Sequence, residues 1–409
     1  MKEDDLYRAS TQYRLWSFAP EKLAALRVNT NSIAAERVIG AIQRARAQRL
    51  GTASGDASES EPQSQKRESR EASTATGDQE TECLTADEEL KLVEYYSTQC
   101  VPLAKPFKFP INVVATAIQF MKRFYLFNSP MTYHPKQIMP SALFLATKTE
   151  NHHTALKEYS TVLKGAGLKK VSPDEILAPE FVITQGLRFT FDVRHPHRAL
   201  KGIYMEVFSM IKGDYAPIAL DTRTARDIQT QILRLPAQNG AESKSTTQEG
   251  EERLNQAYAA AKEILGYNAI LTDAYLLYTP SQISFASLLI ADEPLTSFLL
   301  SSKLPSGSDT INELKAKVLS TIRSCAEMLR AGPSSANVPR EELIRIDKKL
   351  YQCRNPEKMD LVGLNKAQKR DGAVEGVIDE AVAKKRKLER ERTEREGEDL
   401  FGPSLAKPS

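Results

Sequence analysis

One stretch of this sequence occurs twice in the same register. The first copy runs from Tyr133 to Ala146 and the second from Tyr278 to Ala291, an offset of 145 residues. Tyr, Pro, Gln, Ile, Leu and Ala recur at matching places, and each copy places a proline at the start of an apolar helical pattern. The offset is too long for a solenoid unit, but it suits a duplicated domain of roughly 100 residues with an insertion. The sequence therefore predicts two related helical domains.

The fold class predicted from this patterning is all-α. Apolar residues recur at helical spacing along most of the chain, and no segment has the alternation typical of a strand. Capping boxes open two of the helices in the first domain, and prolines mark others. Five helices are predicted in that domain, with starts near Thr85, Pro110, Pro135, Thr154 and Ser172.

Shifts in composition divide the chain into five regions. Polar, Ser- and Glu-rich segments cannot contribute to a core, and they predict disorder. The predicted regions are an N-terminal helical region (1–50), a disordered polar insert (51–84), the first domain (85–192), the second domain (193–332), and a C-terminal helix with a charged, largely disordered tail (333–409). Within the second domain, 237–252 is predicted to be a polar insert and a mobile loop, and helical pattern resumes at Leu254.

Several classes of function are excluded by what the sequence lacks. The formal net charge is only +3, so direct nucleic-acid binding is not expected. The four cysteines form no Cys-x-x-Cys pair, which predicts reduced thiols and no zinc site. No apolar run approaches the ~18 to 20 residues that span a bilayer, so no membrane association is expected. No phosphate loop or hydrolase motif is found, and we expect no catalytic, cofactor-binding or metal-binding residues.

Histidines near two predicted helix ends do not change that expectation. His152 and His153 are adjacent, so their side chains would point in different directions, and no further ligands accompany them. His195 and His197 flank Pro196, and this pattern favours the start of a helix over a catalytic pair.

Two charged residues fall on or beside apolar helical faces. On the fifth helix Glu180 shares one stripe with Ile176, Ile183 and Leu187. A carboxylate in such a stripe is costly to desolvate unless it is paired. Lys148 emerges at the edge of the apolar face of the third helix. Either the two charges serve only the fold, as an internal bridge or as solvated groups, or they offer hydrogen bonds to the backbone of a partner.

The second copy of the repeat bears on this choice. The position that corresponds to Lys148 holds Glu293, although the apolar positions that form the helix persist. A charge that occurs in only one of two duplicated units favours a role other than folding for Lys148.

The same residues resemble the cyclin family. Two segments, Ala-x-x-Phe-Met-Lys-Arg-Phe-Tyr at 117–125 and Leu-Phe-Leu-Ala-Thr-Lys-Thr-Glu at 143–150, are similar to the first cyclin box. Glu180, Leu187 and Phe189 match the spacing of that box's fifth helix. Segments at 11–27 and 271–283 resemble the cyclin H branch, and the whole resemblance covers about Thr11 to Arg330 outside the two inserts.

This resemblance implies two tandem five-helix cyclin boxes with additional N- and C-terminal helices. It implies a regulatory subunit and not an enzyme. The expected partners are a cyclin-dependent kinase catalytic subunit, a RING-finger assembly factor and the core of transcription factor IIH, in the nucleus. The kinase would phosphorylate RNA polymerase II repeats and the activation loops of other such kinases. By the same resemblance, Lys148, Glu180 and Glu150 are expected to contact the kinase.

Three other interpretations remain open at this point. A two-box transcription factor that grips promoter DNA would share the fold, but it should be strongly basic and usually has an N-terminal zinc ribbon. A cyclin of the C, K or T type, or a plain helical scaffold, would also share this fold.

The basic cluster Lys384–Lys387 suits a nuclear import signal or a solvated helix face.

Overall fold

The structure is a computed structural model that describes residues 3–53, 82–166, 171–218, 221–236, 245–304 and 309–366. Within these ranges the regular structure is helical and no strand occurs, so the all-α prediction is confirmed. The chain divides into two compact units, Met1–Met359 and Asp360–Ser409. Of the second unit only 360–366 is described, and residues 361–366 are helical.

Three helices form the N-terminal region: α1 (Glu3–Ala9), α2 (Thr11–Trp16) and α3 (Pro20–Ala53). Trp16 is fully buried and packs in a cluster with Leu23, Leu126 and Leu276. This cluster joins the N-terminal region to both repeated domains. Burying an aromatic side chain of this size contributes about 2 to 3 kcal/mol, so Trp16 is a main anchor of the region.

The predicted disordered insert at 51–84 needs correction at both ends. Helix α3 continues through Ala53, three residues beyond the predicted end of the N-terminal helical region. At the other end Leu84 is buried and packs between α3 and the C-terminal part of the first unit. Residues 54–81 lie outside the described part of the chain.

All five predicted helices of the first domain are present. They are α4 (Ala86–Ala104), α5 (Ile111–Phe124), α6 (Pro135–Thr149), α7 (Leu156–Gly165) and α8 (Pro173–Gly186). The capping boxes of Thr85 with Glu88 and of Ser172 with Glu175 open α4 and α8, as predicted. Helix α5 is buried from Val113 to Phe124 and forms the centre of the domain, with α6 packed against it.

The second domain contains α9 (His197–Lys212), α10 (Ala225–Ile232), α11 (Thr247–Ile264), α12 (Ala274–Leu277), α13 (Pro280–Ala291), α14 (Glu293–Lys303) and α15 (Asp309–Ala331). A π-helical turn, Leu265–Ala269, follows α11. The two copies of the repeat, α6 and α13, are the matching inner helices: α6 packs on α5 and α8, and α13 packs on α9, α11 and α15.

Part of the predicted mobile insert at 237–252 is helical. Helix α11 begins at Thr247, before the predicted restart at Leu254, because Thr246 and Glu249 form a capping box. Gly250 lies against Leu233 and Ile211, so this first turn is packed on the domain. Residues 237–244 lie outside the described part of the chain.

The C-terminal helix α16 (Arg340–Gln352) returns to the first domain. Its buried residues Ile346 and Leu350 pack in one cluster with Val38 of α3 and Leu92 of α4. The N- and C-terminal helices therefore meet on the same side of the first domain. The charged tail from 367 onward, including Lys384–Lys387, lies outside the described residues. No helix in the described ranges is both long and apolar enough to cross a membrane.

Candidate functional site

Helices α6 and α8 bring the two charged candidates of the sequence into contact. The Lys148 Nζ lies 2.5 Å from the Glu180 Oε1, and the two side chains are 41% and 19% exposed. Ile176 and Ile183, the apolar members of the Glu180 stripe, are fully buried. Since the stripe fixes the face of α8 that meets α6, the Glu180 carboxylate lies at the edge of this contact and reaches solvent.

The Lys148 ammonium also lies over an aromatic ring of its own helix, that of Phe144. The Nζ lies 4.5 Å from the centre of the Phe144 ring, which is itself buried. The last turn of a helix also favours a cation, because its carbonyl groups carry partial negative charge. An ammonium has three N–H donors and Glu180 takes one, so the group can bond to a second acceptor.

A second lysine–glutamate pair has nearly the same geometry. Lys212 at the end of α9 lies 2.5 Å from Glu251 of α11, with side chains 39% and 28% exposed. Its Nζ lies 5.3 Å from the ring centre of Phe208. Exposed pairs of this kind contribute about 0.2 to 1 kcal/mol to folding. The geometry of the Lys148–Glu180 pair alone therefore does not distinguish a structural bridge from a partner-binding group.

Glu150, the third candidate, follows directly after α6 and is bound from the interior. The Thr116 hydroxyl donates to its Oε1 at 2.6 Å, and the His195 Nε2 lies 3.7 Å away. The His195 contact and the Thr116 hydrogen bond lower the pKa of the Glu150 carboxyl, although partial burial acts in the opposite direction. Its side chain is 23% exposed, so one edge of the carboxylate is accessible.

The sequence predicted the helix start beside His195 and His197, but it did not predict the contacts that His195 makes. Pro196 precedes α9, which begins at His197, so the prediction of a helix start is confirmed. The contacts of His195 with Glu150, Thr116 and Tyr275 were missed, because their partners lie far away in the sequence. Among the described residues, no group of His, Cys, Asp and Glu side chains is placed to hold a metal ion.

A buried ionic cluster between the two domains was also missed. The Lys122 Nζ donates to the Thr272 carbonyl at 2.7 Å and lies 3.4 Å from Asp273, and Arg27 of α3 forms two hydrogen bonds with the same carboxylate. Burial alone would raise the pKa of Asp273, but Lys122 and Arg27 hold it well below its usual range. Asp273 thus pairs with one cation from α3 and one from α5, and the cluster links α3 to both domains.

Two family models match the chain in consecutive segments. The model of the cyclin N-terminal domain matches residues 85–192, and that of the cyclin C-terminal domain matches residues 195–330. Together they cover more than half of the chain and correspond to the two helical domains.

Curated relatives point to one branch of this family. Cyclin CCL1 of Saccharomyces cerevisiae is 30% identical over 75% of this chain and 63% of its own length. Cyclin-H1-1 of Arabidopsis thaliana is 30% identical over 70% of each chain. The chain thus spans just under two thirds of the yeast relative.

Solved structures show the same relationship. A chain in the structure of the CAK complex of Chaetomium thermophilum bound to ATP-γ-S is 30% identical, with a TM-score of 0.67 over 91% of this chain and 96% of that chain. A chain of the yeast TFIIK complex (Kin28/Ccl1/Tfb3) is 27% identical, with a TM-score of 0.51 over 79% of this chain and 100% of that chain. With both cyclin domains matched in order and a cyclin H among its relatives, this chain belongs to the cyclin family and, within it, to the cyclin H group.

Proposed function

We propose that this chain is the regulatory subunit that binds and activates a cyclin-dependent kinase. The kinase would phosphorylate the C-terminal repeats of RNA polymerase II and the activation loops of other such kinases. The similarity to a chain of the CAK complex, which is bound to ATP-γ-S, and to a chain of the TFIIK complex of Kin28, Ccl1 and Tfb3 supports this proposal. In this assignment the catalytic residues belong to the kinase, and this chain acts through its surface.

Further partners and the location follow from the same relatives. The yeast complex contains Tfb3 beside Kin28 and Ccl1, which supports a complex of three subunits. We take the third subunit to be the RING-finger assembly factor. Attachment to the core of transcription factor IIH and residence in the nucleus are part of the proposal. The alternative of direct promoter binding is not favoured, since the relatives are cyclins and the net charge is only +3.

The surface around Glu180 supports a kinase contact at this place. Helix α8 carries two exposed apolar side chains on either side of Glu180, Leu177 at 39% and Phe181 at 54% exposure, and Phe189 beyond the helix is 62% exposed. Exposed apolar side chains around polar groups are typical of protein interfaces. This combination of a charged pair with apolar neighbours is the observation on which the proposed site rests.

The lysine–glutamate pair of similar geometry in the second domain, Lys212 and Glu251, lacks these neighbours. Among the described residues, α11 carries no large exposed apolar side chain and α9 carries one, Met205. Lys212 and Glu251 therefore resemble Lys148 and Glu180 in geometry but not in surroundings. They provide a matched control within the same chain.

The mechanism follows from the chemistry of these side chains. Lys148 can donate to backbone carbonyls of the kinase, and Glu180 and Glu150 can accept from backbone amides. Giving up the internal Lys148–Glu180 contact costs little, because an exposed pair contributes about 1 kcal/mol or less. A surface that binds only the active arrangement of the kinase would shift its population toward that arrangement, in which its own Lys–Glu pair is formed.

The test is a pair of double variants of the full chain. Lys148→Ala with Glu180→Ala should weaken binding to the recombinant kinase subunit by about 100-fold or more, since each lost charge-assisted bond is worth about 1.5 to 3 kcal/mol. Activation measured with an RNA polymerase II repeat peptide should fall in parallel. Lys212→Ala with Glu251→Ala should leave both unchanged, and both variants should keep the wild-type helicity and nearly the wild-type melting temperature.

Two results would contradict the proposal. Equal kinase affinity of the wild type and the Lys148/Glu180 variant would remove the site from the interface. A folded wild-type chain that retains promoter DNA and recovers no kinase from nuclear extract would favour the DNA-binding alternative.

A further inference from the structure

A continuous chain of hydrogen bonds connects Glu150 to the second domain. Thr116 lies in the middle of α5 and is fully buried, and its hydroxyl contacts both Glu150 and His195. His195 lies between the two domains, and its Nδ1 is 3.2 Å from the hydroxyl of Tyr275 on α12. Tyr275 is 2% exposed. We call the set Tyr275, His195, Thr116 and Glu150 the interdomain chain.

With His195 neutral, the donors and acceptors of the interdomain chain have one consistent order. An ionised carboxylate only accepts, so the Thr116 hydroxyl uses its single hydrogen toward Glu150, at 2.6 Å. The Thr116 oxygen must then accept from the His195 Nε2, which lies 2.9 Å away. A neutral imidazole protonated at Nε2 has a lone pair at Nδ1, and this lone pair accepts from the Tyr275 hydroxyl. The network thus assigns the Nε2–H tautomer to His195.

We propose that the interdomain chain positions the Glu150 carboxylate for its contact with the kinase, so that Tyr275 of the second domain helps to order a binding group of the first. This inference rests on the proposed function, because it takes Glu150 as a kinase contact. Thr116, His195 and Tyr275 are positioning residues in it, and none of them needs to touch the kinase.

The physical reason is the freedom that Glu150 would otherwise have. It follows α6 directly, and the residue after it, Asn151, has a φ of 58°, so the backbone turns away from the helix at this point. Ordering a free glutamate side chain on binding costs rotamer entropy. If the interdomain chain orders Glu150 before binding, the complex gains a part of this free energy, equivalent to about a three- to tenfold difference in affinity.

The variant that tests the proposal is Thr116→Val in the full chain. Valine keeps the shape of threonine and removes the donor to Glu150. We expect three- to tenfold weaker binding to the kinase, as measured by calorimetry or surface plasmon resonance. The control is Thr147→Val, since Thr147 is equally buried but its hydroxyl donates to Phe144 within its own helix. Both variants lose a buried hydroxyl, but only Thr116→Val should affect kinase affinity.

A double-variant cycle separates positioning from a general effect on the fold. If Thr116 acts through Glu150, Thr116→Val should cause no further loss of affinity in the Glu150→Ala background. Equal losses in the two backgrounds, or the same loss for Thr147→Val, would overturn the proposal. Tyr275→Phe should produce a smaller loss of the same kind, because it removes only the outermost hydrogen bond.

The tautomer of His195 gives a readout that does not depend on the kinase. In ¹⁵N-histidine spectra of the free full chain, His195 should be protonated at Nε2 and unprotonated at Nδ1. Protonation at Nδ1 alone would reverse the order of the hydrogen bonds and overturn the proposal. If the Lys148/Glu180 double variant binds the kinase with full affinity, the proposed site is wrong. If that variant loses affinity but Thr116→Val binds normally, the proposed site stands and only the positioning role of the interdomain chain is wrong.

Discussion

The two copies of the repeated helix, α6 and α13, end in opposite ways. Near the end of α6, Lys148 is 41% exposed and faces solvent beside Glu180. After α13 the counterpart of Lys148, Glu293, is also exposed, but Asp292 directly before it is 5% exposed. Asp292 bonds Arg253 of α11 at 2.6 and 2.8 Å, and it caps α14 by accepting from the Leu295 amide. The second copy therefore ends in a buried charge that holds its own helices together, whereas Lys148 of the first copy pairs with Glu180 at the surface.

The helices that pack against these copies differ in the same sense. On α8, Glu180 lies between Ile176 and Ile183, and on α15 the buried Ala326 occupies the same place between Ile322 and Leu329. The apolar spacing is the same in both, so the packing of the two domains is preserved. The polar positions differ: the second domain buries an alanine where the first domain keeps a carboxylate that reaches solvent.

The largest effect expected from this comparison concerns Arg253. Arg253→Met keeps the length of the side chain but leaves the Asp292 carboxylate buried without its cation, which typically costs about 3 to 5 kcal/mol. Urea denaturation of the full chain should show this loss. Arg345→Met is the control, because Arg345 also pairs with carboxylates but its side chain is 52% exposed, and it should cost about 1 kcal/mol or less. Equal losses for both variants would contradict the claim that the buried Asp292–Arg253 pair contributes more to folding than an exposed pair.

A buried carboxylate of the first domain, Glu89, can be compared with the buried carboxylate Asp292 of the second. Glu89 on α4 accepts from Ser129 and also bonds Asn31, but no lysine or arginine among the described residues pairs with it. Burial raises the pKa of its carboxyl to about 7, and the bonds from Ser129 and Asn31 offset only part of this effect. Asp292 has an arginine partner and Glu89 has none, so Glu89 favours its protonated form.

This difference predicts a pH dependence of stability. Between about pH 4.5 and 7 the folded state binds a proton at Glu89 that the unfolded state has released, so the contribution of Glu89 is lost as pH rises through this window. Glu89→Gln stays neutral, and at pH 8 it should be more stable than the wild type by up to about 3 kcal/mol. Below about pH 4.5 the advantage should disappear. Denaturation midpoints of both proteins across this range are the measurement, and a constant difference would contradict the prediction.

The sequence predicted what depends on local pattern. Helical spacing and capping residues located α4 to α8, and the stripe around Glu180 identified the buried face of α8 through Ile176 and Ile183. The early start of α11 had a local signal too, the spacing of Thr246 and Glu249, which was not used because the segment is polar. Capping is a local effect and does not require an apolar neighbour.

The parts that could not be predicted depend on contacts between distant segments. His195 meets Thr116 and Tyr275 only because the two domains pack together, and Asp273 receives Arg27 and Lys122 for the same reason. The sequence around each of these residues does not indicate its partner. A single sequence carries no signal for such pairs, since their spacing is set by the packing of whole domains.

The smallest effect expected is the loss of fold stability in Lys148→Ala. Since its pair with Glu180 is exposed, removing the ammonium should lower the free energy of unfolding by about 0.2 to 1 kcal/mol, and about 1 M salt should reduce this difference further. Lys212→Ala should give the same small value, because its pair has the same N–O distance. A loss as large as that of Arg253→Met would show that Lys148 belongs to the fold as Asp292 does. The contrast between the exposed pair of Lys148 and the buried pair of Asp292 would then be wrong.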